Sequence, residues 1–223
     1  MQGRSEGVKE EMTRRYLLIC IAAALLAIPA LAFGRATTTV TVAPNNSFTF
    51  GPKTVTQSVG TASSIHWQWG ANGSTAAPHD VHQDDGLFSS GSLTSSKPAG
   101  YTITPSAGSF HYYCTLHGSR RGGMAGTIKI RPTVFNKTSS SFGVQWSPGT
   151  DQTGNAFDVR YRVDGGAWKT WRNHTTTSQG TFGANGKPVT VRTGHVYEVQ
   201  ARSEKSSNVT KRSGWSPSAR VKT

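Results

Sequence analysis

Short runs of alternating apolar and polar residues recur along the chain from residue 37 onward. In TTTVTVAP and SSIHWQW the apolar side chains fall on every second position, which is the period of a strand with one buried face. Clusters of Gly, Pro, Asn and Ser separate these runs at intervals of about ten residues, as expected of a β-sandwich. No run shows the longer amphipathic period of a helix. The pattern therefore predicts an all-β protein.

Two series of strand-like segments follow each other, with a boundary at Arg131-Pro132. The first series comprises TTTVTVAP, PKTVTQSV, SSIHWQW, GYTIT, SFHYYC and GTIKI. The second comprises SFGVQWSP, AFDVRYRVDG, GAWKTWRN, KPVTVRT, HVYEVQARSE and SARVKT. We therefore predict two β-sandwich domains, residues 37–130 and residues 131–223, joined without a long linker.

The one long apolar run, Tyr16 to Ala32, lies before the first predicted strand. Arg14 and Arg15 precede it and small residues end it, which is the order of regions in a secretory signal. The run also approaches the roughly 18 apolar residues of a membrane-spanning helix, so an uncleaved anchor is the alternative. We expect residues 1–36 to be a signal peptide and the rest to be exported, to the periplasm, the cell surface or the medium.

Export to an oxidising compartment bears on the role of the cysteines. Cys20 lies in the predicted leader, so the exported part carries a single cysteine, Cys114. Such a residue cannot form an internal disulfide. Its thiol is therefore a buried inert group, an intermolecular bridge or a metal ligand.

The residues around this cysteine favour a metal ligand. His117 and Met124 follow Cys114 in CTLHGSRRGGM. Two His and one Cys in a trigonal arrangement, with a long axial Met, form the set that suits copper in its +1 and +2 states. The second imidazole must come from elsewhere, and APHDVHQDD offers His79 and His82. We favour His79, because His82 lies beside QDDG, a stretch typical of a solvated loop.

Residues 37–130 resemble a plastocyanin-type cupredoxin, a small blue copper domain. The resemblance rests on SFTFGPKTVTQSVGTASSIHWQW, PHDV, DDGLFSSG and GSFHYYCTLHGSRRGGMAGTIKI. It implies a Greek-key β-sandwich with one mononuclear type 1 copper, held by His79, Cys114, His117 and Met124. It also implies single-electron transfer through the exposed edge of His117.

Two positions depart from the family pattern. Six residues, GSRRGG, separate His117 from Met124, more than is usual in plastocyanins. Met124 is thus either the axial ligand at the end of a lengthened loop or a core methionine that opens the last strand. Asp80 stands where many members carry Asn, and we expect it to accept hydrogen bonds from Thr115 and to lower the copper potential.

The predicted site is suited to electron transfer rather than to catalysis. Four protein ligands leave no open position for a substrate. Copper oxidases of the same fold carry further copper sites built with His-x-His pairs, and the sequence contains no such pair. We therefore expect no enzymatic activity. The alternative is a cell-surface structural or copper-sequestering protein without redox turnover.

Residues 131–223 resemble a fibronectin type III module, which is an immunoglobulin-like β-sandwich. Trp146 in VQWSP and Tyr161 in VRYRV fit core positions, and Tyr197 in YEVQA fits a tyrosine corner. This resemblance implies a fold but no activity.

The net charge of +13 is concentrated in the second segment. From residue 131 onward fourteen Lys or Arg stand against five Asp or Glu, whereas residues 37–130 carry five against three. We expect the second segment to dock on an anionic cell-wall polymer, a membrane surface or an acidic partner. We expect no specific nucleic acid, because no recognition motif is present. Arg120 and Arg121, beside His117, predict steering of an acidic redox partner.

Overall fold

The computed structural model describes residues 37–60, 64–149 and 153–223, and these belong to one compact unit. Strands make up nearly all of the regular structure, so the prediction of an all-β sandwich fold is confirmed. The helical elements of the described residues are two short 3-10 turns, Pro44–Asn46 and Ala184–Gly186.

The segment before residue 37 carried the prediction of a signal peptide. That prediction lies outside the described residues. Within the described ranges, no helix is long and apolar enough to cross a membrane.

Ten strands form the first sandwich. They are β1 (Thr37–Val42), β2 (Phe50–Gly51), β3 (Thr54–Ser58), β4 (Ser64–Trp69), β5 (Ser74–His79), β6 (His82–Gln83), β7 (Thr94–Ser96), β8 (Tyr101–Ile103), β9 (Gly108–Ser119) and β10 (Gly122–Arg131). One sheet has the order β2-β1-β4-β8 and the other β3-β10-β9-β6, while β5 pairs with β7 separately. β1 is parallel to β4 and β3 is parallel to β10, whereas the other ladders are antiparallel.

Alternating side chains on β9 reach the core of this sandwich. Phe110, Tyr112 and Cys114 have no exposed surface, and the residues between them are partly exposed. The Tyr112 ring makes T-shaped contacts with two other rings. Its centroid lies 5.3 Å from that of Trp67 on β4 and 4.9 Å from that of Phe50 on β2. The buried face of β9 therefore runs from an aromatic core directly to the cysteine.

Eight strands form the second sandwich. They are β11 (Thr133–Phe135), β12 (Phe142–Gln145), β13 (Ala156–Val163), β14 (Lys169–Thr175), β15 (Gln179–Phe182), β16 (Val196–Lys205), β17 (Asn208–Arg212) and β18 (Ala219–Lys222). One sheet has the order β11-β12-β15, and the other has the order β14-β13-β16 with both β17 and β18 paired to β16. All of these ladders are antiparallel.

The aromatic residues that suggested the second module lie in its core. Trp146, Tyr161 and Tyr197 are all buried. The Tyr197 hydroxyl accepts a hydrogen bond from the backbone N–H of Arg192 at 2.8 Å, which is the bond of a tyrosine corner. That the module is of the fibronectin type stays a prediction.

The predicted strand at KPVTVRT is wrong. Residues 187–193 form no strand, and the partner of β12 is β15 instead. Val191 is buried and Val189 packs against the core, so the alternation reflects side-chain burial without a ladder. Pro188, which has no N–H to donate, suits such a segment.

The two sandwiches meet where β9 begins. Ala107 donates its N–H to the carbonyl of Trp146 at 2.8 Å and accepts from the Ser203 hydroxyl at 3.1 Å. Ser109 and Gly214 exchange two backbone hydrogen bonds of 2.9 Å. β9 therefore starts against the second sandwich and continues into the first.

Candidate metal centre

Three side chains from two separate segments converge at one end of the first sandwich. His79 is the last residue of β5, and Cys114 and His117 lie in the second half of β9. Nδ1 of His79 is 3.1 Å from Nδ1 of His117. Sγ of Cys114 is 3.7 Å from the first nitrogen and 3.5 Å from the second. In the described part of the chain, this is the cluster of His, Cys and acidic side chains that could hold a metal ion.

The separations within this cluster fit a single ion. At bond angles of about 100–120°, metal–nitrogen bonds of about 2.0–2.1 Å and metal–sulfur bonds of about 2.3 Å place neighbouring ligand atoms roughly 3.1–3.8 Å apart. Two imidazoles and one thiolate are a donor set that suits copper. The residues present therefore fit the ion that the sequence predicts.

His82, the other candidate ligand, lies outside this cluster. It opens β6, it is half-buried, and its ring contacts Tyr113 edge-on at 5.6 Å. His79, by contrast, is the last residue of β5 and is buried.

A break in the ladder between β9 and β10 sets the position of Met124. Gly123 pairs with Gly118, and Ala125 then pairs with Tyr113, so four residues of β9 lie opposite Met124 alone. Those four residues are the ones from the cysteine to the second histidine, and the Met124 side chain is fully buried. A bulge of this kind re-aims side chains beside a site. The assignment of Met124 as the axial ligand stays a prediction.

The segment GSRRGG lengthens the hairpin as paired strand. Ser119 pairs with Gly122, and the turn between them is Arg120-Arg121. The additional residues thus extend the β9–β10 hairpin, and β10 still returns Met124 opposite the ligand segment.

Two glycines let the strands of this hairpin approach closely. A Cβ on Gly118 would lie 2.4 Å from the carbonyl oxygen of Met124. A Cβ on Gly123, where φ is +78°, would lie 2.6 Å from the carbonyl oxygen of His117. Both contacts are too short for any other residue.

Asp80 joins the two ligand segments. Its Oδ1 accepts the backbone N–H of Thr115 at 2.7 Å, and its Oδ2 accepts the Thr115 hydroxyl at 2.8 Å. Asp80 is buried and directly follows His79, whereas Thr115 directly follows Cys114. The hydrogen bonds that the sequence suggests therefore clamp the first histidine to the cysteine.

Burial dominates the electrostatics of the cluster. It lowers the pKa of His79; the charge of His117 lowers this pKa further and that of Asp80 opposes the change. Burial raises the pKa of Cys114, and hydrogen bonds from the backbones of Asp80, His117 and Leu116 partly offset the rise. Without a metal, His79 is thus held as neutral imidazole and Cys114 as a thiol at neutral pH.

The outer side of the cluster carries an apolar rim, formed by Phe48, Leu93 and Leu116. Phe48 stacks on His117 with the ring centroids 4.4 Å apart and the planes 24° apart. Leu116 precedes His117, and Leu93 precedes Thr94, the strand partner of His79. The three side chains are between 39% and 56% exposed, which is unusual for large apolar groups. Sequence reasoning missed Phe48, which lies in a polar turn far from the ligand motifs.

The two arginines at the hairpin tip differ in their contacts. Arg120 donates to the carbonyl of Asp84 and to the Asp85 carboxylate, the latter at 3.3 Å. Arg121 is exposed, and its guanidinium has no partner among the described residues. Arg120 therefore ties the hairpin to a neighbouring turn, and Arg121 is the freer charge beside His117.

No family model matches the chain, and no curated protein matches it. Solved structures similar to it include oxidised plastocyanin from Dryopteris crassirhizoma, with 20% identity and a TM-score of 0.34 over 42% of this chain and 99% of that one. A mutant of amicyanin in its Cu(I) form has 22% identity and a TM-score of 0.32, over 42% of this chain and 81% of that one. A structure described as a myokine has 17% identity and a TM-score of 0.31, over 41% of this chain and 90% of that one.

Proposed function

We propose that the first sandwich holds one copper ion in a mononuclear type 1 site and transfers single electrons. The convergence of two imidazole nitrogens and one cysteine sulfur within 3.7 Å carries the proposal. His79, Cys114 and His117 would form the trigonal set, and Met124 would supply the axial thioether. Bound copper would supply the one-electron chemistry by alternating between its +1 and +2 states.

The chain's own part is to fix the ligands before the metal arrives. His79 and Cys114 are buried in the sandwich, so water has little access to them. The Asp80 clamp to Thr115 and the β9–β10 ladder hold the two ligand segments in one arrangement. A fixed arrangement suits electron transfer, since it changes little between oxidation states. The Asp80 carboxylate would also lower the copper potential by favouring the more positive ion.

Electrons would enter and leave through His117, the half-buried ligand inside the apolar rim. The exposed side chains of Phe48 and Leu116 give a partner an apolar surface beside this ring. We assign the steering of an acidic redox partner to Arg121, because Arg120 is engaged by Asp84 and Asp85. Four protein ligands would leave no position for a substrate, so electron transfer without catalysis is the expected activity.

The colour of the copper-loaded protein tests the proposal. Addition of Cu(II) should give an intense blue or green colour from charge transfer between thiolate and copper, and Cys114→Ser should abolish it. His79→Ala should also lose the colour, whereas the matched variant His82→Ala should keep it. A colourless protein that binds Zn(II) or Cu(I) without reversible oxidation would instead support a copper-sequestering role.

A further inference from the structure

We propose that the outer face of the five-stranded sheet in the second sandwich binds a linear anionic polysaccharide, one that carries sulfate or carboxylate groups. Five arginines point outward from this sheet, and we call them the arginine face: Arg160, Arg162, Arg202, Arg212 and Arg220. This inference is independent of the metal site.

Strand pairing places these arginines on one face. Arg160 lies opposite Gln200, Arg162 lies opposite Glu198, and Glu198 lies opposite Arg220 on its other side. β13 and β18 flank β16, so Arg162 and Arg220 stand about 9.5 Å apart across the sheet.

The same ladders place the remaining members. Arg202 on β16 lies opposite Asp158 of β13, and Arg212 of β17 lies opposite Glu204 on the other side of β16.

A row of stacked guanidinium and indole groups runs through the middle of the face. Arg160 lies 4.6 Å from the ring centroid of Trp168 and 4.1 Å from that of Trp215. Arg162 also lies over Trp168, at 4.7 Å, and Arg202 over Trp215, at 4.5 Å. The rings thus hold three guanidinium groups in fixed positions, as a preorganised anion site needs.

The carboxylates of the described second sandwich do not neutralise this face. Asp158 pairs with Arg202 at 2.6 Å and Glu198 with Arg162 at 2.8 Å. Glu204 and Asp164 pair instead with histidines, at 2.7 Å and 2.6 Å. Only two of the five arginines therefore have an ion-pair partner among the described residues.

The central arginine has a neutral partner. Nε and Nη2 of Arg160 both donate to the Gln200 amide oxygen, at 2.9 Å and 2.6 Å. Burial lowers the pKa of Arg160, and the charges of Arg202 and Arg162 lower it further. Arg212 and Arg220 are exposed and make no ion pair with described residues. An oxyanion bound on this face would supply the negative charge that these arginines do not receive from the protein.

The surroundings of the face select the class of polyanion. The large apolar side chains that are exposed among the described residues are Phe48, Leu93, Leu116 and Val209, and none belongs to the arginine face, which argues against insertion into a membrane. Guanidinium groups already cover Trp168 and Trp215, so these rings offer no stacking platform for nucleic-acid bases. A flat sheet with planar, bidentate donors suits an extended chain of carboxylate or sulfate groups.

Titration with defined oligosaccharides tests the proposal. The probes are a heparin octasaccharide, which carries sulfate and carboxylate groups, and an octagalacturonate, which carries carboxylates alone. Isothermal calorimetry on the whole protein should show binding of at least one probe. The double variant R212Q/R220Q should weaken this binding by about tenfold or more, because each substitution removes a charge-assisted contact. Its matched control is K137Q/K187Q, which removes the same charge from exposed positions outside the arginine face and should change affinity less than about twofold.

Several outcomes would overturn it. Equal weakening in the two double variants would mean that net charge alone drives the binding. Binding to phosphatidylglycerol vesicles, duplex DNA or an acidic peptide without binding to either oligosaccharide would assign the face to another class of partner. If no probe bound, the row of rings and arginines would have a structural role only. Unchanged melting temperatures of the variants confirm that the fold is intact.

Discussion

Burial shifts the pKa of His79 and that of Cys114 in opposite directions. It lowers the imidazole pKa and raises the thiol pKa, so that each group is held in its uncharged form when no metal is bound. Neutral ligands cost less to bury than charged ones. The metal-free cluster can therefore remain folded and ready for an ion.

The metal-free protein should be most stable between the ordinary pKa values of these groups, 6.5 for the histidine and 9.0 for the cysteine. Below this window, unfolded His79 takes up a proton that the folded residue resists, so the free energy of unfolding falls as pH falls. Above it, the unfolded Cys114 thiol ionises while the folded thiol does not, so the free energy falls as pH rises. Urea titrations across the pH range measure both limbs. Above pH 10 the buried Tyr101 and Tyr112, whose pKa values burial raises to about 12, add a fall of their own. Cys114→Ser should therefore remove the fall between pH 9 and pH 10, and persistence of that fall in the variant would refute the assignment.

Phe48 is expected to hold His117 in its ligand orientation. An aromatic contact contributes about 0.5–1.5 kcal/mol beyond area burial, so Phe48→Leu should lower copper affinity by about 2- to 12-fold. Competition against a chelator of known affinity measures the change. Val209→Ala, which shortens an exposed apolar side chain in the second sandwich, is the control and should leave the affinity unaltered. Equal affinities in both variants would show that the stacked ring plays no part.

The sequence predicted the three members of the metal cluster because their spacing is a local signal. His79, Cys114 and His117 lie in short motifs, and the Asp80 to Thr115 hydrogen bonds follow from the residues next to them. Phe48 has no such signal, because its contact with His117 exists only once the turn between β1 and β2 lies over the end of β9.

At the scale of the elements, the β9–β10 hairpin determines the shape of the site. The break in its ladder sets four ligand-segment residues against Met124, and the tip adds paired residues beyond it. From the sequence, GSRRGG could be read as a loop of uncertain course. Its pairing depends on two close backbone approaches that residue types alone do not specify.

Gly123→Ala should disrupt this hairpin more than a matched glycine substitution elsewhere. Gly91 also has a positive φ, +91°, but a Cβ there meets nothing within 4 Å. Gly91→Ala should therefore cost only the left-handed strain of about 1–2 kcal/mol. Gly123→Ala should cost more and also lower copper affinity, because its Cβ would press on the His117 carbonyl. Urea titrations measure the loss of stability in both variants, and copper titrations measure the loss of affinity. Identical results for the two variants would mean that the hairpin accommodates the added methyl group.

Strand prediction succeeded where alternation and pairing coincide, as in β1, β4, β9, β13 and β16. It failed at KPVTVRT, where two valines reach the core without a ladder. The short strands β2, β6, β7 and β11 were missed because two or three residues cannot establish a period. The longer strands β5, β15 and β17 were missed because their sequences show no alternation of apolar and polar residues.

Across the whole molecule, the contact at the start of β9 couples the two sandwiches. Ser203 and Trp146 of the second sandwich bind the backbone of Ala107, just before the strand that carries Cys114. Composition shifts and a Pro boundary predict two units but give no sign of these hydrogen bonds. They depend on segments distant in sequence that the tertiary fold brings together.

Copper should therefore stabilise both sandwiches against unfolding. A ligand present at about 1,000 times its Kd adds roughly 4.1 kcal/mol to the unfolding free energy of everything that unfolds with its site. Hydrogen exchange should show slower exchange in β13 and β16 as well as in β9 when copper is added. Ser203→Ala, which removes the hydroxyl bound to Ala107, should weaken this effect in the second sandwich. Slower exchange confined to the first sandwich of the unaltered protein would refute the coupling.

The anchorage of β9 also governs how the molecule would behave on a surface. About 20 Å of continuous strand separates its fastened start from Cys114. A molecule adsorbed through the arginine face would consequently present its His117 edge at one fixed tilt. On an electrode coated with polyanion, such a layer would exchange electrons at a single interfacial rate, where a hinged pair of sandwiches would give a broad distribution of rates.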